Sequence, residues 1–391
     1  MSRFGQLIRA TAAATLTAVG AAPAVAQNPY FLPATQPDIS SYVYPDSVYP
    51  AGGRRVTGPP CAPAPYCPPG TVVPGTPQLG MPQLGAPGMP PTDTTTAAPS
   101  FSGLEGGAGL GQTVATRGGY IENAVPVTTF RLRYDSAYGD NRPDRAELFY
   151  AKCGCFKTPD AKGPPLPETK VDYQEVTPYF EYAFTDRFSM FADIPTRFIN
   201  PEQNANAAGL SDVSFGAKYA FVRSECRVVS LWLRTITPTG RPNQGLGTGN
   251  WWIEPGLLYL EQLSPRWQLF GELRNQIHLT RESDFTGNIL RYGLGTSYVV
   301  ADGRWGYVAP VGEVVGWTVL SGMEADALGQ AVSARGDTIV NAKAGLRFGF
   351  GEPTLGQFFA TRSDLYVGYG RALTGDVWYK NMLRVEFRYF F

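Results

Sequence analysis

From about residue 127 onward, apolar and polar side chains alternate in a series of short segments, and nothing else in the chain restricts its fold as strongly. In the last segment Val377, Tyr379, Leu383, Val385, Phe387, Tyr389 and Phe391 share one parity, while Lys380, Arg384, Glu386 and Arg388 share the other. Extended backbone sends successive side chains to opposite faces, so such a segment is a strand with one greasy face and one charged face. Trp267, Leu269, Leu273, Ile277 and Leu279 alternate in the same way with Gln268, Glu272, Arg274, Gln276, His278 and Thr280.

Strands are expected near 127–134, 172–184, 188–198, 211–223, 227–237, 251–261, 267–280, 288–300, 304–317, 338–350, 363–371 and 377–391, which makes twelve. Most have the length a tilted strand needs to cross a bilayer. Past residue 26 no apolar run is long enough for a spanning helix. An open sheet would leave backbone groups unsatisfied in lipid, so only a closed barrel suits a membrane. A soluble sandwich alternates too, but it does not need aromatic girdles, and Trp251, Trp267, Trp305, Trp317 and Trp378 all fall near strand ends. Short connections such as 185–187 and 301–303 alternate with longer ones such as 135–171 and 238–250, although 351–362 is long for a turn. The expected fold is all-β: a transmembrane antiparallel up-and-down β-barrel of about 12 strands over residues 118–391. Pro178, Pro195, Pro255 and Pro310 each remove a ladder donor. Glu313 falls on the outward parity, which predicts a bulge near Pro310 or Gly312.

Residues 1–26 have the form of a signal peptide: Arg3 and Arg9, an alanine-rich apolar stretch, and the small-x-small site Ala24-Val25-Ala26. Residues 27–117 are dense in Pro, Gly, Thr and Ala, a composition that does not fold by itself. A disordered periplasmic spacer is the first expectation; a tether to cell-wall polymer and a plug entering the barrel are the alternatives. Export permits disulfides among the five cysteines. Cys61 and Cys67 could close a small loop, a Cys153–Cys155 ring would be strained, and Cys226 is left over. No histidine or acid cluster accompanies Cys153-Gly154-Cys155, so no metal or other cofactor is expected. The formal net charge of +0 argues against a nucleic-acid partner.

The inward parity forms a charged wall. Its candidate lumen-lining residues are Arg197, Asp212, Lys218, Arg234, Glu254, Glu272, Arg274, His278, Arg291, Lys343, Arg347, Lys380, Arg384, Glu386 and Arg388. Such charges can filter solutes in a conduit, or they can pair across strands and fill the lumen. Twelve strands lie between the filled and the open cases, and a narrow channel is the expectation. Chemistry is not expected: His278 is the single histidine, no Gly-x-Ser-x-Gly elbow or phosphate-binding loop is present, and nucleophilic catalysis needs base, nucleophile and orienter together.

The closing segment, with Phe391 as its last residue, resembles the final strand of bacterial outer-membrane barrels, whose terminal aromatic helps the β-barrel assembly machinery recognise its client. A second resemblance rests on Gly209-Leu210-Ser211-Asp212, the strand ending Thr237-Pro238-Thr239-Gly240, and Trp252-Ile253-Glu254-Pro255 with Leu258-Tyr259. In this order they are similar to the outer-membrane family named for the MetA pathway of phenol degradation, over about residues 170–391. The resemblance implies location in the outer membrane, among its lipids, and a channel or transporter for small polar or aromatic solutes. The rival functions are a structural or adhesive surface protein, binding through loop 135–171 and the proline-rich segment, and an outer-membrane lipid hydrolase.

Overall fold

A computed structural model describes residues 115–145, 148–157, 159, 161–224, 226–279, 285–325, 330–351 and 361–391. The expected signal peptide, most of the proline-rich segment and most of the 351–362 connection lie outside them.

Twelve strands form the wall: β1 Thr129–Asp140, β2 Val171–Ala183, β3 Phe188–Asp193 continued by Thr196–Pro201, and β4 Ala207–Leu210 continued by Ser214–Arg223. Then follow β5 Arg227–Ile236, β6 Trp252–Gln262, β7 Trp267–His278 and β8 Ile289–Tyr298. The last four are β9 Gly306–Val319, β10 Thr338–Phe350, β11 Ser363–Ala372 and β12 Asn381–Phe390. Each pairs antiparallel with its sequence neighbours, and β1 pairs with β12 from Thr129↔Phe390 to Tyr138↔Asn381, so the sheet closes and no edge remains. Short turns such as 184–187 and 263–266 lie at the end where β1 starts and β12 finishes; the longer loops lie at the other.

The alternation has its physical counterpart in burial. Along β12, Leu383 and Phe387 are exposed while Arg384, Glu386 and Arg388 are buried; along β7, Trp267 and Leu273 are exposed while Gln268, Glu272 and Arg274 are buried. The exposed set, continued by Phe180, Met190, Phe215 and Leu231, forms an apolar outer band that belongs in lipid. An even number of antiparallel strands, short turns at one end, longer loops at the other and a greasy exterior are the features of a barrel of the outer membrane.

Several local expectations need correction. The strand β9 has no bulge: its ladder with β10 runs unbroken from Gly306↔Phe350 to Thr318↔Thr338. Odd-numbered Tyr307, Val311, Glu313 and Val315 all face inward, and the parity was masked because Val308 and Val314 make the outer face equally aliphatic. Register shifts occur instead at Ala137/Asp140 and Ala220/Val222. Pro195 divides β3 in two, whereas Pro178, Pro255 and Pro310 are accommodated within their strands. Trp251, Trp267 and Trp305 stand on the outside, but Trp317 and Trp378 are buried inside against one another, their ring centroids 5.6 Å apart. The last strand begins only at Asn381, so Val377 and Tyr379 turn inward ahead of it and Lys380 turns out.

Candidate functional site: the barrel lumen and its inner segment

The lumen is not empty. Residues 115–128 precede β1 and lie inside the barrel, with Thr116, Arg117, Tyr120, Ile121, Ala124 and Val125 buried. The expected domain boundary at 118 therefore falls inside an ordered segment, not at its start. This segment folds back on itself: Asn123 Oδ1 accepts from the Thr116 amide at 2.9 Å, and the Thr116 hydroxyl faces the Ala124 amide at 3.4 Å. Both legs lie toward the turn end, where Arg117 donates to the Arg266 carbonyl and Thr128 accepts from the Phe391 amide. The tip, Gly118 to Ile121, reaches the middle of the wall. Glycine is required there by close approach, since a Cβ on Gly119 would come within 2.2 Å of the Tyr366 ring and one on Gly118 within 2.7 Å of Phe270.

The wall grips this strap mainly by its peptide groups. One carboxylate, Glu313, accepts from three consecutive amides, Gly119, Tyr120 and Ile121, with Oε1 at 3.2, 3.0 and 2.9 Å. Carbonyls receive cations: Arg347 donates to Arg117 and Gly118, Arg384 to Gly119 at 2.8 Å, Arg388 to Thr116 at 2.9 Å and Arg291 to Tyr120 at 2.8 Å. Lys218 reaches the Asn123 carbonyl at 2.9 Å, and Ser230 donates to that of Ala124. Among the described residues, Glu122 alone of the strap makes a side-chain ion pair with the wall, at 2.8 Å to Arg131.

The remaining valences of the wall are spent on one another. Arg234, Glu254, Arg274, Glu272 and Arg291 form one chain of pairs. Arg347 joins Glu386 and Asp364, and Asp364 joins Arg388 at 2.7 Å. Arg384 pairs with Asp135, Arg197 with Glu175, and Lys218 with Glu181 at 2.9 Å. Buried charges arranged in this way are tolerable because each has an opposite charge and hydrogen bonds in place; stripping one partner of such a pair costs about 3–5 kcal/mol.

Not every expected lining residue lies on this wall. Asp212 sits between the two halves of β4 and holds a loop: its carboxylate accepts from the Gly240 amide at 2.9 Å and the Thr248 amide at 2.8 Å. This gives the Gly-x-x-Asp and Pro-Thr-Gly motifs one physical purpose, since a Cβ on Gly240 would crowd the same carboxylate. His278 ends β7 at the loop end, edge-on to Trp252. Lys380 is exposed outside the wall. A plug entering the barrel is one of the alternatives the sequence offers for residues 27–117, but residues 118–128, counted there with the barrel, form most of the strap; the change near residue 117 from Pro/Gly/Thr-rich sequence to Arg117, Tyr120, Ile121, Glu122 and Asn123 is its signal.

At the loop end Arg145 ties three loops together. It meets Glu324 at 2.9 Å, Asp337 at 3.0 Å and Asp376 at 3.4 Å. Burial pushes the Asp337 carboxyl above its usual range, Arg145 opposes this, and Glu324 and Asp376 add to the rise. Cys153 and Cys155 are joined as a disulfide, their Cα atoms 5.2 Å apart beside the single 3-10 turn at Gly154–Phe156. Cys226 is disulfide-bonded as well. No group of three or more metal-ligating side chains occurs among the described residues.

Residues 162–350, from the loop after β1 to the end of β10, match the model of the family described as "Putative MetA-pathway of phenol degradation". The chain is thus an outer-membrane-type barrel that resembles this family over that span. Among solved structures it is similar to an outer membrane channel from Pseudomonas putida F1, at 15% identity over 68% of this chain and 96% of that one, with a TM-score of 0.43. It is also similar to the NanC porin, at 10% identity over 66% and 99% of the two chains and a TM-score of 0.39. LpxR from Salmonella typhimurium is similar at 8% identity over 67% and 100%, again with a TM-score of 0.39. No curated protein matches the chain.

Proposed function

We propose that this protein is an outer-membrane channel for small polar or aromatic solutes, in which the inner strap forms the constriction. One observation carries this reading: the barrel wall directs arginine, lysine and glutamate side chains at the peptide groups of a separate segment, an interior built to hold polar contents. Here Lys218, Arg347, Arg384 and Arg388, which hold strap carbonyls, keep carboxylate partners on the wall, so the strap can leave without stranding them unpaired. The turn end then faces the periplasm and the loop end the exterior.

The test is conductance. Purified protein in a planar bilayer is expected to give discrete current steps, and Glu313→Gln, which weakens the hold on three amides, is expected to enlarge or prolong them. Silence from both proteins, despite correct insertion, would reject the channel and favour a structural or adhesive role; silence with phospholipid cleavage would favour a hydrolase.

A further inference from the structure

Tyr120, at the tip of the strap, is held as a ligand is held. Lys343 Nζ lies 3.6 Å from its ring centroid and the Arg384 guanidinium carbon 4.1 Å from it. Tyr366 meets the ring edge-on, with centroids 6.1 Å apart. Gly370 lies beside the phenol end and the Lys343 stem, where a Cβ would stand 3.3 Å from Lys343 Cγ. Yet the Tyr120 hydroxyl is buried with no hydrogen-bond partner.

Its surroundings hold further polar groups. Asn341 is fully buried and its side-chain amide faces the nearby Tyr379 hydroxyl, a contact that uses one of the amide's several hydrogen-bonding valences. Lys343 differs from the other deep cations of the wall. Lys218, Arg274, Arg347, Arg384 and Arg388 each have a carboxylate within 4 Å. No such ion pair occurs for Lys343 among the described residues. Glu313, opposite it in register, has its carboxylate turned to the strap amides. Lys343 is left with ring faces: Tyr120, and Trp317 and Tyr379 at 5.3 Å each.

A buried cation among ring faces, beside an amide that keeps hydrogen-bonding capacity after its contact with Tyr379, suits a flat ring bearing an oxygen. The Tyr120 ring fits, but its oxygen is not free to move onto these groups, because its backbone is fixed by Glu313 at the amide and by Arg291 at the carbonyl. An untethered phenol has no such restraint.

We infer that the Lys343–Asn341–Tyr379 cluster is a binding site for a small phenol, occupied in the resting protein by Tyr120 of the chain itself. An incoming phenol exchanges with the Tyr120 ring and loosens the strap. The consequence for conduction rests on the channel reading above; the binding does not.

The probe is p-cresol, the tyrosine side chain as a free molecule, titrated calorimetrically into the full-length protein in detergent. Tyr120→Ala empties the site, and because the occupied fraction no longer competes, it should bind p-cresol about tenfold more tightly than the wild type. Adding Lys343→Met should abolish the gain. Equal affinity in wild type and Tyr120→Ala overturns the site, and so does a gain that survives Lys343→Met. If Tyr120→Ala does not assemble, the wild type and the single Lys343→Met variant decide the matter by trypsin cleavage after Arg117. There p-cresol must accelerate cleavage in the wild type and not in the variant, and the absence of acceleration in the wild type overturns the proposal. Binding by a protein that passes no current leaves the site standing and removes the channel; current without p-cresol binding does the opposite.

Discussion

Glu313 concentrates more of the strap's attachment than any other side chain, because one ionised carboxylate serves three successive amides. Hydrogen bonds to a charged acceptor are worth about 1.5–3 kcal/mol each, and a neutral amide in its place keeps the shape but loses the charge. Glu313→Gln is therefore expected to expose Arg117, now 1% accessible, and to speed tryptic cleavage after it by about tenfold for each 1.4 kcal/mol lost. Gly119→Ala should act in the same direction for a steric reason, since the new methyl would meet the Tyr366 ring at 2.2 Å. In both variants the barrel should still migrate as a folded, heat-modifiable band, because neither residue supplies a side-chain hydrogen bond between strands. Cleavage at the wild-type rate in either would mean that the strap is held by other contacts.

Among the elements, the loops at the end away from the strap's mouth share the Arg145 guanidinium, while Asn141 and Arg142 also bind the connection at 373–380. Arg145→Ala should release the connection at 320–337 from those at 141–170 and 373–380, which Asn141 and Arg142 still join, seen as a gain in proteolysis within 320–337 with no loss of the barrel band. Its three acids are not equivalent. The Asp337 carboxyl is raised in the folded protein, so its ionised form opposes loop docking, and its contribution improves as pH falls through that raised value and worsens as pH rises. Asp337→Asn is thus expected to leave loop protection at neutral pH unchanged or better, despite the 3.0 Å contact with Arg145. Glu324→Gln, which removes a nearly buried partner of the same guanidinium, should reduce it. Hydrogen exchange of the loop amides distinguishes the two.

For the whole molecule, the twelve-stranded wall is complete without its contents, since every strand pairs with two others. Deleting residues 115–127 should still yield a heat-modifiable barrel, with larger single-channel conductance than the wild type; failure of the deletion to assemble would make the strap part of the folding unit. The wall was legible in the sequence because lipid outside and charge inside impose a period of two, as Leu383/Arg384 and Leu273/Arg274 show. Legibility failed where that contrast vanishes. In β9, Val311 and Val315 face an apolar patch of lumen and look like their outward neighbours, and Trp317 and Trp378 are indistinguishable by type from girdle tryptophans. The strap was hidden for a different reason: the wall recognises mainly its carbonyls and amides, which differ little from residue to residue, so only Gly118, Gly119, Tyr120 and Glu122 bear a side-chain trace of the contacts described above. Its doubled-back course has one more implication. Because the segment enters and leaves by the same mouth, it is not threaded through the closed ring of strands. It can be withdrawn and reinserted with no strand parting and no free end passing through, so a pull on the chain upstream of Ala115 would act on the tip as a cord acts on a stopper.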